Sequence, residues 1–392
     1  MEIVDFLDPI GPLEFPLSGE SGNQSRFGNR IGIYTEANGF PNLSSCDIVL
    51  IGVKDDRNTI DNEGCGQAPE AIRKYLYKLT TGPNPLRVVD IGNIKTGFST
   101  KDTCFALSSV VAWLISSNIV PVIIGGSQDM TFANYQAYHS LGQIINIVTV
   151  DPMFDLGSSD QELNSRSYLS SIILHQPNFL FNYTNLGYQT YFIDQDALKL
   201  MQNLFFDTYR LGIVRDNLSE VEPILRNADM ISFDISAIRH SDAPGNGNAT
   251  PHGFYGEEAC QITRYAGMSD KLTSIGFYEM NPRYDESGQT AHLVAQMIWY
   301  FIDGFYNRAH DFPFTSEENY VKYRVSIHDH KEEIVFYKSK KTDRWWMEIP
   351  LPAEQRAKYE RHYLIPCSYK DYQTASDNDI PDRWWMAYQK LM

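Results

Sequence analysis

Residues 144–155 read Ile-Ile-Asn-Ile-Val-Thr-Val-Asp-Pro-Met-Phe-Asp, an apolar run that ends in two aspartates. A short run rich in β-branched residues predicts a buried strand. Other segments repeat the pattern, and longer segments with helical spacing of apolar residues separate them. The strand candidates are residues 47–53, 87–91, 120–125, 144–150, 189–193, 210–214, 230–235 and 272–279. This alternation predicts a three-layer α/β/α fold with a mainly parallel, roughly eight-stranded sheet.

The domain boundaries follow from where this alternation begins and ends. Residues 67–80, 102–118 and 290–306 are predicted helices with one apolar face, and the alternation continues without a break over residues 46–306. We therefore expect one α/β domain over that range. Residues 1–45, rich in Gly, Ser, Asn and Pro, are predicted to be an irregular arm. Residues 307–392 are predicted to be a C-terminal extension with antiparallel strands at 320–327 and 333–339.

A pentapeptide occurs twice in the extension. Asp-Arg-Trp-Trp-Met stands at residues 343–347 and again at 382–386, which places four of the six tryptophans of the chain there. The tryptophans either cover the chain's own surface or form a docking platform for a protein partner, because Trp and Arg dominate binding hot spots. Both interpretations remain open at this point.

Charge and composition exclude several classes of function. The chain has 33 Lys and Arg against 49 Asp and Glu, a net charge of −16, so nucleic acid is not an expected ligand. No segment reaches the roughly 20 apolar residues of a membrane helix, and the first residues lack a basic region, so we expect neither membrane insertion nor export. The five cysteines include no Cys-x-x-Cys pair, which favours a cytoplasmic location and no cysteine chemistry.

Several predicted strands end in acidic or polar residues. Asp151 and Asp155 follow one strand, Asp234 follows another, and Gln128 and Glu279 follow two more. The carboxyl ends of parallel strands meet at one edge of a sheet, where such folds bind ligands. Carboxylates that converge repel one another unless a cation compensates, and a divalent ion is the simplest compensation. Alternatively, each acid caps the following helix or accepts backbone N–H groups.

Six motifs at these positions resemble, in order and spacing, those of the ureohydrolases, the superfamily of arginase, agmatinase and formimidoylglutamase. The motifs are Gly64-Cys65-Gly66-Gln67-Ala68-Pro69-Glu70-Ala71-Ile72-Arg73, Gly125-Gly126-Ser127-Gln128, Asp151-Pro152-Met153-Phe154-Asp155, Ser232-Phe233-Asp234-Ile235-Ser236, Ala243-Pro244-Gly245 with Gly253 and Glu258, and Glu279-Met280-Asn281-Pro282 with Asp285, Thr290 and Ala291. The resemblance implies an arginase-like fold for residues 46–306.

The resemblance also implies a metal site. The family holds two manganese ions with two histidines and four aspartates, and the ions share a hydroxide that attacks a guanidinium or amidine carbon. By this resemblance Asp151, Asp155 and Asp234 are retained ligands. The degenerate positions are Gln128 and Met153, each in place of a histidine, and Ser236 in place of an aspartate.

The chemistry of these replacements predicts how many ions remain. A thioether is a poor ligand for a hard divalent ion and a hydroxyl is a weak one, so the second metal position is expected to be lost. One Mn²⁺, Mg²⁺ or Ca²⁺ ion is still compatible with the oxygens of Gln128, Asp151, Asp155 and Asp234. The predicted cofactor is therefore none, or one divalent cation at a remnant site.

Other residues are candidates only through the resemblance. Tyr168 falls where arginase has its proton-shuttling histidine, and Glu258 matches a substrate-facing glutamate, although a surface helix position is an equally good interpretation. Arginine recognition is not expected, because Gly157, Asn164 and Arg166 stand where arginase binds its amino acid. His240 and His252, in the loop after Asp234, are candidates to complete a metal-ligand set, and the possible bases are Glu279 or one of these loop histidines.

Three hypotheses follow. The first is a catalytically inactive scaffold or interaction subunit that self-associates and offers its tryptophan-bearing extension to a protein partner. The second is a divergent metal-dependent hydrolase of linear amidines, acting on amidino or formimino substrates with a single ion. The third is a binding module in which Glu258 or Glu279 meets a cationic small molecule. We favour the first, because three of the six ligand positions carry non-equivalent residues.

Overall fold

The computed structural model describes residues 3–11, 24–83, 85–157, 162–313, 317–327 and 333–391, which form a ten-stranded central sheet, a four-stranded second sheet and the helices around them. The strands of the central sheet are β1 (Leu7–Asp8), β2 (Gly32–Ile33), β3 (Ile48–Val53), β4 (Val88–Ile94), β5 (Val120–Ile124), β6 (Ile145–Val150), β7 (Leu180–Tyr188), β8 (Asp207–Arg210), β9 (Met230–Asp234) and β10 (Ser274–Tyr278). The strands of the second sheet are β11 (Tyr320–Ser326), β12 (Glu333–Ser339), β13 (Trp345–Glu348) and β14 (Leu364–Cys367).

The helices alternate with the strands of the central sheet and then follow those of the second. They are α1 (Phe27–Arg30), α2 (Ala68–Leu76), α3 (Thr100–Ser116), α4 (Met130–Leu141), α5 (Tyr168–Leu174), α6 (Gln195–Asn203), α7 (Leu211–Asp216), α8 (Val221–Arg226), α9 (Gly256–Gly267), α10 (Gln289–Tyr306), α11 (Ala353–Arg356), α12 (Tyr369–Ser376) and α13 (Asp382–Leu391). No helix in the described ranges combines the length and the apolar character that crossing a membrane requires.

The central sheet confirms the predicted fold class. Its strand order is β1-β4-β3-β5-β10-β9-β6-β7-β8, with β2 beside β4, and its described pairs are parallel except that between β1 and β4. Helices α2, α8, α9 and α10 cover one face, and α3, α4 and α5 cover the other. The strands in the middle of the sheet are buried on both faces, which explains their continuous apolar runs.

Two of the predicted strands are wrong. Residues 189–193 form a short 3₁₀ turn, and the strand of that region is β7, whose buried Asn182, Thr184 and Asn185 break the apolar run that sequence reasoning relied on. Residues 210–214 enter helix α7, in which Val214 is buried and Ile213 is 63% exposed. Their β-branched content suggested a strand, but such propensities are weak and tertiary packing overrides them.

The segment expected to be an irregular arm contributes to the sheet. Strands β1 and β2 both pair with β4 at the edge of the central sheet, and Ile10, Phe27 and Ile33 are buried in the core. Residues 1–2 and 12–23 of this segment lie outside the described residues.

The extension forms an antiparallel sheet packed under α12 and α13. The predicted antiparallel strands are present as β11 and β12. Trp345 and Trp346 are buried in β13, and Trp384 in α13 is fully buried, whereas Trp385 is 42% exposed. Three of the four repeated tryptophans are therefore used to pack the chain on itself.

Candidate functional site

The predicted site residues do meet at one edge of the sheet. Strands β5, β10, β9 and β6 are consecutive neighbours, so the residues after their carboxyl ends are adjacent. Gln128, Asp151, Asp155, Asp234 and Glu279 are each at most 7% exposed. We call these five residues the acid cluster.

Hydrogen bonds inside the acid cluster centre on Asp151. The side-chain Nε2 of Gln128 donates to Oδ2 of Asp151 at 2.8 Å, and the backbone N–H of Met153 donates to Oδ1 at 2.7 Å. The carboxyl groups of Asp151 and Asp155 are near enough for each to perturb the pKa of the other. Two carboxyl groups in such proximity repel each other when both are ionised.

Burial is the main influence on the pKa values of these three aspartates. Burial, and next the charge of Asp155, raise the pKa of Asp151 well above its usual range. Burial raises the pKa of Asp155 to about 7. The pKa of Asp234 is also raised well above its usual range, by burial and then by the charge of Asp151. The protein groups around these acids therefore favour their neutral forms.

Met153 and Ser236, which stand two residues after Asp151 and Asp234, contribute backbone groups. Met153 is half-buried and contacts Asp151 through its N–H. Ser236 likewise donates its backbone N–H to Oδ1 of Asp234 at 2.7 Å. Within the described part of the chain, no three or more His, Cys, Asp or Glu side chains are arranged to hold a metal ion.

Glu279 connects three loops. Its carboxylate accepts hydrogen bonds from the Thr59 hydroxyl at 2.8 Å, from Asn62 Nδ2 at 2.7 Å and from the backbone N–H of Gln128 at 2.8 Å. Glu279 also has a left-handed backbone, with φ 66°, as does Asp155 with φ 49°. Non-glycine residues hold this conformation only where surrounding contacts fix it, and these hydrogen bonds do so for Glu279.

Of the remaining candidates, Tyr168 contacts the acid cluster. The other three, Glu258, His240 and His252, have different contacts or are exposed. Tyr168 is fully buried, and its hydroxyl accepts a hydrogen bond from Gln128 Nε2 at 3.1 Å. Glu258 instead caps the start of α9, where it accepts from the backbone N–H of Tyr255 at 2.8 Å and from Arg215 Nε at 3.1 Å. The side chains of His240 and His252 are exposed to solvent.

Sequence reasoning named some residues of the loops that surround the cluster but did not predict the hydrogen bonds between these loops. Residues 56–65, 162–167 and 243–250 are hydrogen-bonded to one another at this edge. Ser165 bonds to the backbone of Asn58 and Ile60, and Arg166 Nη2 donates to Asn248 Oδ1 at 2.8 Å. Arg166 also lies 3.3 Å from a carboxylate oxygen of Asp61. One of these loops could have been predicted from its position in the chain. The polar segment after residue 53 directly follows a buried strand, so it lies at the edge where such folds bind ligands.

The fold and the site together define the class of this protein. It is a doubly wound α/β protein whose polar site lies at the carboxyl edge of a parallel sheet. The family model described as "Arginase family" matches residues 46–303. The chain belongs to the arginase family.

Similar proteins carry more specific names. A formimidoylglutamase of Staphylococcus aureus is 24% identical over 264 residues, which are 64% of this chain and 85% of that protein. A Mn²⁺-bound formiminoglutamase of Trypanosoma cruzi is similar in structure, with a TM-score of 0.62, 21% identity and coverage of 69% of this chain and 99% of that one. The formimidoylglutamase of Bacillus subtilis gives a TM-score of 0.66 at 17% identity, over 74% of this chain and 95% of that one. At these identities, the structural likeness shows the fold.

Proposed function

We propose that this chain is an arginase-family protein that has lost two-metal hydrolysis and serves as a scaffold or interaction subunit. The observation that carries the proposal is the chemistry at the implied ligand positions. Met153 and Ser236 offer a thioether and a hydroxyl, and Gln128 uses its amide to donate hydrogen bonds to Asp151 and Tyr168. These groups do not fit a pair of bridged manganese ions, which need carboxylate and imidazole ligands.

The polar environment supports the same proposal. The carboxyl groups of Asp151, Asp155 and Asp234 are buried together, and burial raises the pKa of each, so the surrounding protein groups favour the neutral forms. Glu279, the strongest candidate for a base, accepts hydrogen bonds from three protein donors. A carboxylate engaged in this way is poorly placed to remove a proton from water. No hydrolytic step follows from this arrangement.

A second candidate is a divergent amidino or formimino hydrolase with one divalent ion. It is favoured by the burial of Asp151, Asp155 and Asp234 at one edge, together with Gln128, and by the formimidoylglutamases among the similar proteins. These four side chains are the ones that would hold the ion. A hydrolase would also need a free base, and Glu279 would have to release at least one of its donors to supply it.

The third hypothesis, a binding module for a cationic small molecule, has less support. Glu258 and Glu279 both bind groups of the protein itself. Self-association, a cytoplasmic location and a protein partner at the tryptophan-bearing extension remain parts of the proposal. The extension packs against the body through Arg226, whose guanidinium lies 4.4 Å from the Trp346 ring centre.

Elemental analysis combined with an activity assay tests the proposal. Protein purified without chelator and then incubated with Mn²⁺ is expected to retain no stoichiometric metal and to leave formiminoglutamate, agmatine and arginine unchanged. The triple variant Gln128→His, Met153→His, Ser236→Asp should bind manganese, and the same variant with Asp155→Asn provides the matched control. One equivalent of metal with turnover by the natural chain would support the second candidate and refute the first.

A further inference from the structure

Two histidines are in contact at the C-terminal ends of helices α4 and α5. His139 belongs to the last turn of α4, and His175 directly follows α5. Their ring centres are 4.6 Å apart, with an angle of 74° between the ring planes, and both side chains are half-buried. In the part of the chain that the structure describes, Nε2 of His139 is buried and has no hydrogen-bond partner. A buried polar atom in this state costs free energy unless a ligand meets it.

Aromatic side chains surround the histidine pair. The rings of Phe132 and Tyr135 contact His175, with ring centres 5.6 Å and 5.9 Å away, and the ring of Phe179 lies 5.2 Å from that of His139. Burial, and next the charge of His139, lower the pKa of His175, so its neutral form is favoured at neutral pH. A neutral imidazole has one ring nitrogen with a free lone pair, which is the form that binds a metal ion.

The distance between the two rings is that of two imidazoles bound to one ion. Metal–nitrogen bonds of about 2.0–2.1 Å place the centres of two adjacent imidazole ligands roughly 4.5–5.2 Å apart, in square-planar or tetrahedral geometry. The separation of 4.6 Å between His139 and His175 lies within this range. The two side chains come from different helices, so the main chain already holds them at the spacing of a chelate.

We propose that His139 and His175 bind one divalent transition-metal ion of the class that prefers imidazole, Cu²⁺ or Zn²⁺, with water as the remaining ligands. Nitrogen ligands suit these ions, whereas oxygen ligands suit Mn²⁺ and Mg²⁺. The site is therefore chemically distinct from the acid cluster, and it does not depend on whether the acid cluster is hydrolytic. Two protein ligands hold an ion reversibly, so the ion is supplied in the assay and is not expected to survive purification.

The charge of the molecule favours a cation at this position. The chain has a net charge of −16, which attracts cations from solution. His139 also lies in the last turn of a helix of 12 residues, where the helix dipole stabilises positive charge. An ion bound by both histidines would join α4 to α5, the helices that begin beside Gln128 and at Tyr168.

Titration with Cu²⁺, followed by electron paramagnetic resonance, tests which groups bind the ion. The natural chain should bind one equivalent tightly, with two nitrogen ligands resolved in the spectrum. His139→Phe and His175→Phe each keep a ring in the aromatic contacts, and each should raise the dissociation constant for Cu²⁺ at least about tenfold, because one of two protein ligands is lost. The matched control is His240→Gln with His252→Gln, which removes two exposed imidazoles and should leave the constant unchanged.

Competition experiments separate this site from the acid cluster. Excess Zn²⁺ should displace Cu²⁺, whereas Mn²⁺ should not, and Asp155→Asn should leave Cu²⁺ binding unchanged. Unchanged affinity in both His139→Phe and His175→Phe, or a spectrum with oxygen ligands only, would refute the proposal. Loss of Cu²⁺ binding in His328→Gln with His330→Gln, two histidines outside the described residues, would equally overturn it.

Discussion

Buried aspartates at the two ends of the central strands have pKa values that are shifted in opposite directions. At the carboxyl edge, Asp151, Asp155 and Asp234 lie together and their pKa values are raised. At the amino edge, Asp229 is just as buried, and burial would raise its pKa too. The charges of Lys271 and Arg361 outweigh that effect, and the pKa of Asp229 is held below its usual range.

The difference lies in the partners. Arg361 Nη2 is 2.6 Å from Oδ1 of Asp229, and the backbone N–H of Asn146 donates to Oδ2 at 2.9 Å. Arg361 belongs to the extension, so the buried charge at the amino edge fastens the extension to the body. The aspartates of the acid cluster instead accept hydrogen bonds from the Gln128 amide and from backbone N–H groups. The buried aspartate at the amino edge is thus paired with cationic side chains, whereas those at the carboxyl edge are paired with neutral donors.

The largest effect is expected from removing the charge of Asp229. Asp229→Asn leaves Lys271, only 5% exposed in its side chain, and Arg361 without their counter-charge. The free energy of unfolding in urea should fall by about 4 kcal/mol, because a buried ion pair that loses one partner leaves an uncompensated charge.

The control for this variant is an exposed ion pair. Asp196→Asn removes the partner of Lys199, with both side chains largely in solvent, and should change the free energy of unfolding by less than about 0.5 kcal/mol. Equal effects of Asp229→Asn and Asp196→Asn would remove the contrast between the two edges.

The repeated tryptophans test how the extension is held. Trp384 is fully buried and its indole N–H donates to the Glu348 carbonyl at 2.9 Å, whereas the adjacent Trp385 is 42% exposed. Trp384→Ala should lower the free energy of unfolding by about 3 kcal/mol through a cavity and a lost hydrogen bond. Trp385→Ala should lower it by less than about 1 kcal/mol. If Trp385→Ala abolished capture of a partner while leaving stability unchanged, the docking interpretation of the repeat would gain support.

The pH dependence of the free energy of unfolding tests the raised pKa values at the carboxyl edge. The pKa of Asp155 is raised to about 7, above about 4 in an unfolded chain, so the folded state holds a proton that the unfolded state releases. This contribution to stability is complete below about pH 4 and is lost as the pH rises to about 7. Asp155→Asn should remove part of that loss, on the order of 2 kcal/mol between about pH 5 and pH 8 in urea unfolding. A steeper loss in the variant would mean that the ionised carboxylate has a cationic partner.

The smallest effect is expected at Glu258. Glu258 caps α9 and pairs with Arg215, and Glu258→Ala should lower the free energy of unfolding by about 1 kcal/mol. Metal content and ligand binding should stay as in the natural chain. A loss of ligand binding at unchanged stability would instead favour the substrate-facing role that the family resemblance implies.

The sequence predicted the fold because strand and helix each left a clear pattern. Strands β3, β5, β6, β9 and β10 are buried on both faces and read as apolar runs, so sequence reasoning found all five. It failed at β7 and α7, near the edge of the sheet, where burial is partial or includes polar side chains. A hydrophobic pattern indicates directly which residues are buried, and secondary structure is inferred only from the spacing of those buried residues.

The site was predictable to the level of strand ends. Acids after neighbouring parallel strands had to meet, and they do. Three sets of contacts depend on segments distant in sequence: the hydrogen bond from Gln128 to Asp151, those from Thr59 and Asn62 to Glu279, and that from Arg215 to Glu258. No local pattern encodes which loop reaches which carboxylate.

The two copies of the repeated pentapeptide have the same sequence but different secondary structures. The spacing of apolar and acidic residues determined the buried middle strands of the sheet and the acids that follow them at the carboxyl edge. The same Asp-Arg-Trp-Trp-Met forms a strand at Trp345 and Trp346 and a helix at Trp384 and Trp385. The first copy pairs with β12 and β14, whereas the second copy packs one tryptophan over that sheet. Because the local sequence is the same, long-range contacts determine which secondary structure each copy adopts.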